Sequence, residues 1–132
     1  MVHNPLTYAE LLKKKIQKHD ANVWLVNTGW TGGAYGVGKR MSITHTRALL
    51  RAALAGELDN VEYRTDPFFG LQIPVHVNNV PDEVLDPRTA WADRAAYDVA
   101  AKGLVQRFVD NFATFADLVD EDVKAAAIRA AA

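Results

Sequence analysis

Gly33, Gly38 and Lys39 stand at the spacing G-x-x-x-x-G-K within "TGGAYGVGKR", residues 31–40. That spacing belongs to loops whose backbone amides cradle the phosphates of a nucleotide. Such a loop needs one more group, a Ser or Thr directly after the lysine, whose hydroxyl coordinates the accompanying Mg²⁺. Here the next residues are Arg40 and Met41. The segment is therefore a damaged phosphate loop, a glycine-rich loop with another role, or a connector whose Lys39 and Arg40 are simply solvated.

Other chemistry is scarce. The chain has no cysteine, which excludes disulfides, thiolate nucleophiles and cysteine-ligated metals. His3, His19, His45 and His76 share no ligand spacing and read as surface or capping residues. Asp120, Glu121 and Asp122 read as a solvated acidic turn. A formal charge of −1 over 132 residues argues against nucleic acid, which demands a basic excess. No apolar run is long enough to span a membrane, and the N-terminus lacks a signal-peptide pattern; a cytoplasmic location is expected.

The elements that must position these residues follow from local rules. Asn4 and Pro5 read as N-cap and first position of a helix, with Tyr8, Leu11, Leu12 and Ile16 at helical spacing and a stop near His19–Asp20. Val23–Val26, apolar throughout and too short for a helix, suits a strand buried on both faces and carrying Trp24. Residues 28–38, with five glycines, read as loop braced by Trp30. Ser42 is an N-cap for a second helix, with Ile43, Thr46, Leu50, Ala53 and Leu54 on one face and Gly56 as its left-handed stop. Short strands are expected at 61–65 and 69–77, the latter ending or lying at an edge because of Pro74. "NNVPDEVLDPR" reads as a turn-rich connector. Trp91 leads into a long helix beginning near Asp93, with Tyr97, Ala101, Leu104, Phe108, Phe112 and Phe115 as its apolar stripe. The residues after 118 are expected to fray. The order helix, strand, Gly-loop, helix, short strands, long helix is mixed α/β (α+β) in one domain, 1–132, with too few strands to complete a sheet.

The wording of the sequence carries more than its spacing. "VWLVNTGWTGGAYGVGKRMSITHTRALL" resembles the C-terminal region of ATP-dependent phosphoenolpyruvate carboxykinases, with the same NTGW turn, glycine-rich stretch and GKR. "NPLTYAELLKKKI", "DPFFGLQIPVHVNNVPDEVLDPRTAW" and "LVQRFVDNFATF" are similar to flanking stretches of that family, so the resemblance runs in order from residue 1 to about 118. It implies that the chain is an incomplete C-terminal portion, roughly the last quarter, of that family's nucleotide-binding domain. Ala34 stands where a proline is common, and Asn4 replaces a usual histidine.

The resemblance implies a role for the GKR segment. The family's phosphate loop lies upstream of NTGW, and this segment closes over the adenine and ribose of ATP. Arg40 and Met41 match the two positions flanking the base, and Thr46 matches a threonine that contacts it; Gly36, Gly38 and Lys39 match the loop beside the nucleotide. On that reading Arg40 is no lost magnesium ligand, and the motif is a false Walker A. The family converts oxaloacetate and ATP to phosphoenolpyruvate, CO₂ and ADP, in gluconeogenesis, with Mg²⁺ or Mn²⁺. This sequence has no match to its phosphate loop, its adjacent aspartates or its other metal ligands, so no catalytic or metal residue is assigned. The isolated chain is expected to be inactive, to bind ATP weakly or not at all, and to self-associate through surface left exposed. A stand-alone interaction module and a small nucleotide-binding protein are the alternatives.

Overall fold

The structure, a computed structural model, describes residues 3–129. Its first helix, α1 (Pro5–His19), starts where expected: the Asn4 side chain accepts the Leu6 amide at 3.0 Å, and Asp20 ends the helix in the left-handed region. None of its residues is buried, and Tyr8, Leu11 and Leu12 lie exposed.

Residues 21–28 then run without helix, turn, bend or strand pairing. The expected doubly buried strand at 23–26 is absent, because a strand exists only by pairing. The four strands of the described residues form two separate two-stranded ribbons, neither of which includes this run. Only Trp24 turns inward, half-buried and stacked on Tyr63 with ring centres 6.3 Å apart.

The glycine-rich segment is a tight hairpin rather than plain loop. β1 (Trp30–Thr31) pairs antiparallel with β2 (Lys39–Arg40), Trp30 opposite Arg40 and Thr31 opposite Lys39. Helix α2 (Ile43–Leu54) follows, its Ser42 Oγ accepting the Thr44 amide at 3.2 Å, and Gly56 terminates it at φ +72°. Its inward face differs from the expected one. Ala52 is buried, with Ala48, Leu49 and Ala53 packed beside it, whereas Ile43, Leu50 and Leu54 are exposed. The chain holds more apolar positions on this helix than it has core to cover, so periodicity alone could not choose the face.

β3 (Tyr63–Thr65) and β4 (Gln72–Pro74) form the second ribbon, and β4 ends at its proline as the missing amide dictates. Asp66, buried at the turn, accepts the amides of Phe68 and Phe69 at 2.9 and 2.7 Å. The connector and the residue before it hold much of the core: Val77, Val80 and Leu85 are buried with Ala52 and Leu58. Val77 bridges Val80 across a turn in which Asn79 takes φ 63°, a value Asn tolerates better than most residues. Two single-turn helices, α3 (Asp82–Leu85) and α4 (Pro87–Ala90), complete it.

Helix α5 (Arg94–Ala113) is capped by Asp93, which accepts the amides of Ala95 and Ala96. Tyr97, Ala101 and Val105 are its buried residues, while Leu104 is exposed. The stripe thus advances by i, i+4 and takes Val105 in place of Leu104. Tyr97 meets Phe68 and Trp91 edge-on at 5.8 and 5.6 Å, and Phe108 meets Phe69 at 6.3 Å. Burial pushes the Tyr97 phenol above its ordinary value. Arg88 grips Asp98 with two hydrogen bonds of 2.7 and 2.9 Å, tying α4 to α5, and Arg64 donates to the Leu85 carbonyl at 2.8 Å.

The tail is an exposed acidic turn, as read, yet a structured one. Asp120 caps the short helix α6 (Glu121–Ala125) and pairs with Lys13 of α1. The expectation of fraying at 130–132 lies outside the described residues.

Candidate functional site

The hairpin decides what the glycine-rich segment can do. A Cβ on Gly38 would sit 2.5 Å from the Gly33 carbonyl oxygen and 2.7 Å from that of Thr31, and one on Gly33 would sit 2.9 Å from the Gly38 amide nitrogen. Both glycines are required because the two sides of the hairpin touch backbone to backbone. Gly32 and Gly36 take positive φ of 76° and 86° at the bends, which glycine adopts without steric cost. The spacing of Gly33 and Gly38 is thus accounted for by closure of the hairpin on itself.

The amides tell the same story. Val37 and Gly38 both donate to the Ala34 carbonyl, at 3.0 and 2.9 Å, and Met41 donates to Gly29 at 3.0 Å. A phosphate loop keeps such amides free to point at an anion. Here the amides of Val37 and Gly38 are engaged within the turn.

The hairpin also sorts the side chains. Directly paired residues of an antiparallel ribbon lie on the same face, and consecutive residues lie on opposite faces. Trp30 and Arg40 therefore share one face, where Tyr35 braces Trp30 edge-on at 5.3 Å. Thr31 and Lys39 share the other. They line a groove of ≈ 330 Å³ with Glu83, Val84 and Ala90. Lys39 and Arg40, adjacent in sequence, are thereby separated. The residues from 83 to 90 had no signal that would bring them beside Lys39.

Arg40 and Met41 lead straight into the Ser42 cap, and Thr46 lies one turn into α2, where its amide donates to the Ser42 carbonyl at 2.9 Å. Arg40 is exposed, while Met41 and Thr46 are half-buried. A cation, a thioether and a hydroxyl thus stand in order at the entry of one capped helix. A thioether packs well on a flat ring, a guanidinium stacks and donates hydrogen bonds, and a threonine hydroxyl both donates and accepts.

A divalent metal has no comparable fit. Among the described residues no three His, Asp or Glu side chains converge, the position after Lys39 is a cation, and the nearby Ser42 hydroxyl accepts the Thr44 amide. The donor set at the hairpin is wrong for Mg²⁺ or Mn²⁺.

Comparison with known proteins gives concordant matches. The sequence model of the phosphoenolpyruvate carboxykinase family matches residues 1–83. Proteins named phosphoenolpyruvate carboxykinase (ATP) are similar over nearly the whole chain. That of Cereibacter sphaeroides is 58% identical over 128 residues, covering 97% of this chain and 24% of the relative. The Rhizobium etli protein is 59% identical over 127 residues, 96% of this chain and 24% of its own length. The Brucella suis protein is 58% identical over 134 residues, all of this chain and 25% of its own. The chain spans about a quarter of the length of these curated relatives.

Proposed function

The chain belongs to the ATP-dependent phosphoenolpyruvate carboxykinase family, within its C-terminal region, and from that premise we propose that it supplies the adenine and ribose side of an ATP site. The protein of which it represents this part would convert oxaloacetate and ATP to phosphoenolpyruvate, CO₂ and ADP, in the cytoplasm and in the gluconeogenic direction. In that reaction decarboxylation leaves an enolate that takes the γ-phosphoryl group, a transfer governed by positioning and charge neutralisation. Divalent metal would supply part of that neutralisation, held by polypeptide other than these residues.

Within this chain, Met41 packs on a face of the purine, Thr46 exchanges a hydrogen bond with the base edge, and Arg40 reaches ribose or phosphate oxygens from the entrance. Gly36, Gly38 and Lys39 form the hairpin that sets the strand leading to them. The observation that carries this reading is the internal use of the Val37 and Gly38 amides by the Ala34 carbonyl. It supports an adenosine contact over a triphosphate cradle. On this reading the chain alone is expected to be inactive, because its sequence matches neither the family's phosphate loop nor its metal ligands.

The test is a titration of the ¹⁵N-labelled chain with ATP and with adenosine, followed by NMR. Both ligands should move the amides of Met41 and Thr46, weakly and alike, and Thr46→Ala should diminish the response to each. Shifts confined to residues 33–39, seen with ATP but not adenosine and strengthened by Mg²⁺, would instead favour a small nucleotide-binding protein with a working phosphate loop.

A further inference from the structure

Arg40 is an exposed cation with no opposite charge near it along the chain. No acidic residue occurs between Asp20 and Glu57, and among the described residues Arg40 forms no ion pair. What stands opposite it is an aromatic side chain. Trp30 is its direct partner across the ribbon and is itself 46% exposed. We propose that Trp30 is a positioning residue for Arg40: the indole face supports the guanidinium and holds it flat at the nucleotide entrance, while Tyr35 fixes the indole.

The register brings the two side chains as close as a ribbon allows. Met41 donates its amide to the Gly29 carbonyl at 3.0 Å, so residues 29 and 41 form a hydrogen-bonded pair. The kinds of pair alternate along an antiparallel ribbon, which makes Trp30 and Arg40 a non-hydrogen-bonded pair. Such partners have Cα atoms about 4.5 Å apart and the closer side chains. An arginine so placed can lie over the indole, within about 6 Å of the ring centre, where the ring's charge distribution attracts a cation. Tyr35 meets that indole edge-on, with ring centres 5.3 Å apart and planes 82° apart. Tyr35 remains 85% exposed, so its place rests on Trp30 and not on burial in the core.

Support by an aromatic face differs from support by a carboxylate in what it leaves free. The N–H groups of a guanidinium all lie in its plane. A carboxylate partner takes two of them edge-on, whereas a ring stacked on the flat face takes none. Held on Trp30, Arg40 keeps every donor at its rim for ribose or phosphate oxygens. That use of the donors rests on the nucleotide reading above; the stacking itself does not.

NMR of the full chain tests the two parts separately. Without ligand, the Arg40 Cδ protons should lie upfield of those of exposed arginines, displaced by the indole ring current. Trp30→Leu should return them to the ordinary position while the Met41 amide keeps its wild-type exchange rate, which shows that the ribbon survives. Trp30→Phe keeps an aromatic face and should retain most of the displacement, and Tyr35→Leu should reduce it in part. With ATP, Trp30→Leu should weaken binding about two- to fivefold, the worth of an exposed cation–π contact, and should have no further effect in an Arg40→Ala background. Arg40 Cδ protons at the ordinary position in the wild-type chain overturn the proposal. So does an ATP affinity that Trp30→Leu lowers equally with and without Arg40, which would make the indole itself the ligand contact. Displaced Arg40 protons with no response to ATP would uphold the support by Trp30 and overturn the nucleotide reading instead.

Discussion

Gly38→Ala separates the hairpin account from the phosphate-loop account. The added methyl would lie 2.5 Å and 2.7 Å from two carbonyl oxygens and 2.9 Å from the Gly33 nitrogen. All three atoms are backbone, so no flexible side chain can swing aside, and relief must come from parting β1 and β2. Overpacking of this kind costs about 1–3 kcal/mol, and the absence of a movable neighbour puts Gly38→Ala near the top of that span. Gly36→Ala is the control. Its methyl meets nothing within 4 Å, and its cost is the left-handed backbone alone, about 1–2 kcal/mol. The assay is amide hydrogen exchange at Met41, whose N–H closes the ribbon onto Gly29. A loss of about 3 kcal/mol raises the open population about 150-fold, and one of about 1–2 kcal/mol about 5- to 30-fold, so Gly38→Ala should speed Met41 exchange by more than about 100-fold and Gly36→Ala by about 30-fold at most. Unchanged exchange in Gly38→Ala would refute the reasoning, because the glycine would then be kept for an approaching ligand and not for the hairpin's own contact.

Further outcomes follow from the packing and the charges. Leu58→Ala, in the buried cluster, should lower unfolding free energy by about 2–5 kcal/mol, while Leu54→Ala, 87% exposed, should stay within about 0.5 kcal/mol; equal shifts in urea midpoint would contradict the outward placement of Leu54. The hydrogen bonds from Arg88 hold the Asp98 carboxyl below its ordinary 3.8, and that from Lys13 does the same for Asp120. Both contributions are present above that ordinary value and disappear as pH falls through the lowered ones, so carboxyl ¹³C shifts of both residues should titrate below those of exposed aspartates, and titration above 3.8 would contradict the ion pairs. A carboxykinase assay on the chain alone should give no phosphoenolpyruvate, and sustained turnover would show that it holds phosphate-handling groups of its own.

What the sequence made legible was local. Asn4 and Ser42 were readable as caps because a short polar side chain satisfies amides two or three residues on, Asp93 only as the approximate start of α5, and Gly56 as a stop because a left-handed position admits few other residues. Pro74 marked the end of β4 for a reason confined to its own amide. Features that depend on distant partners were hidden. Val23–Val26 has the composition of a buried strand, but pairing is a property of neighbours, and none of the described strands pairs with it. The inward faces of α2 and α5 went to Ala52 and Val105 and not to Leu54 and Leu104, because both helices carry apolar residues on more than one side. The connector concealed Val80 and Leu85 among turn residues too short for any period to register, while Val77 lay at the end of the strand expected at 69–77. At the site, the identities of Arg40, Met41 and Thr46 were legible through their resemblance to a family. The hairpin that parts Lys39 from Arg40, and the groove Lys39 shares with Glu83, depend on a register that no motif encodes.

A crystal of the chain soaked with ATP would decide the central claim most directly. The account predicts adenine against Met41 and Thr46, with the phosphates extending past Arg40 and away from the bend of the hairpin. Phosphates held by the amides of residues 33–39, with a metal ion beside Lys39, would contradict it.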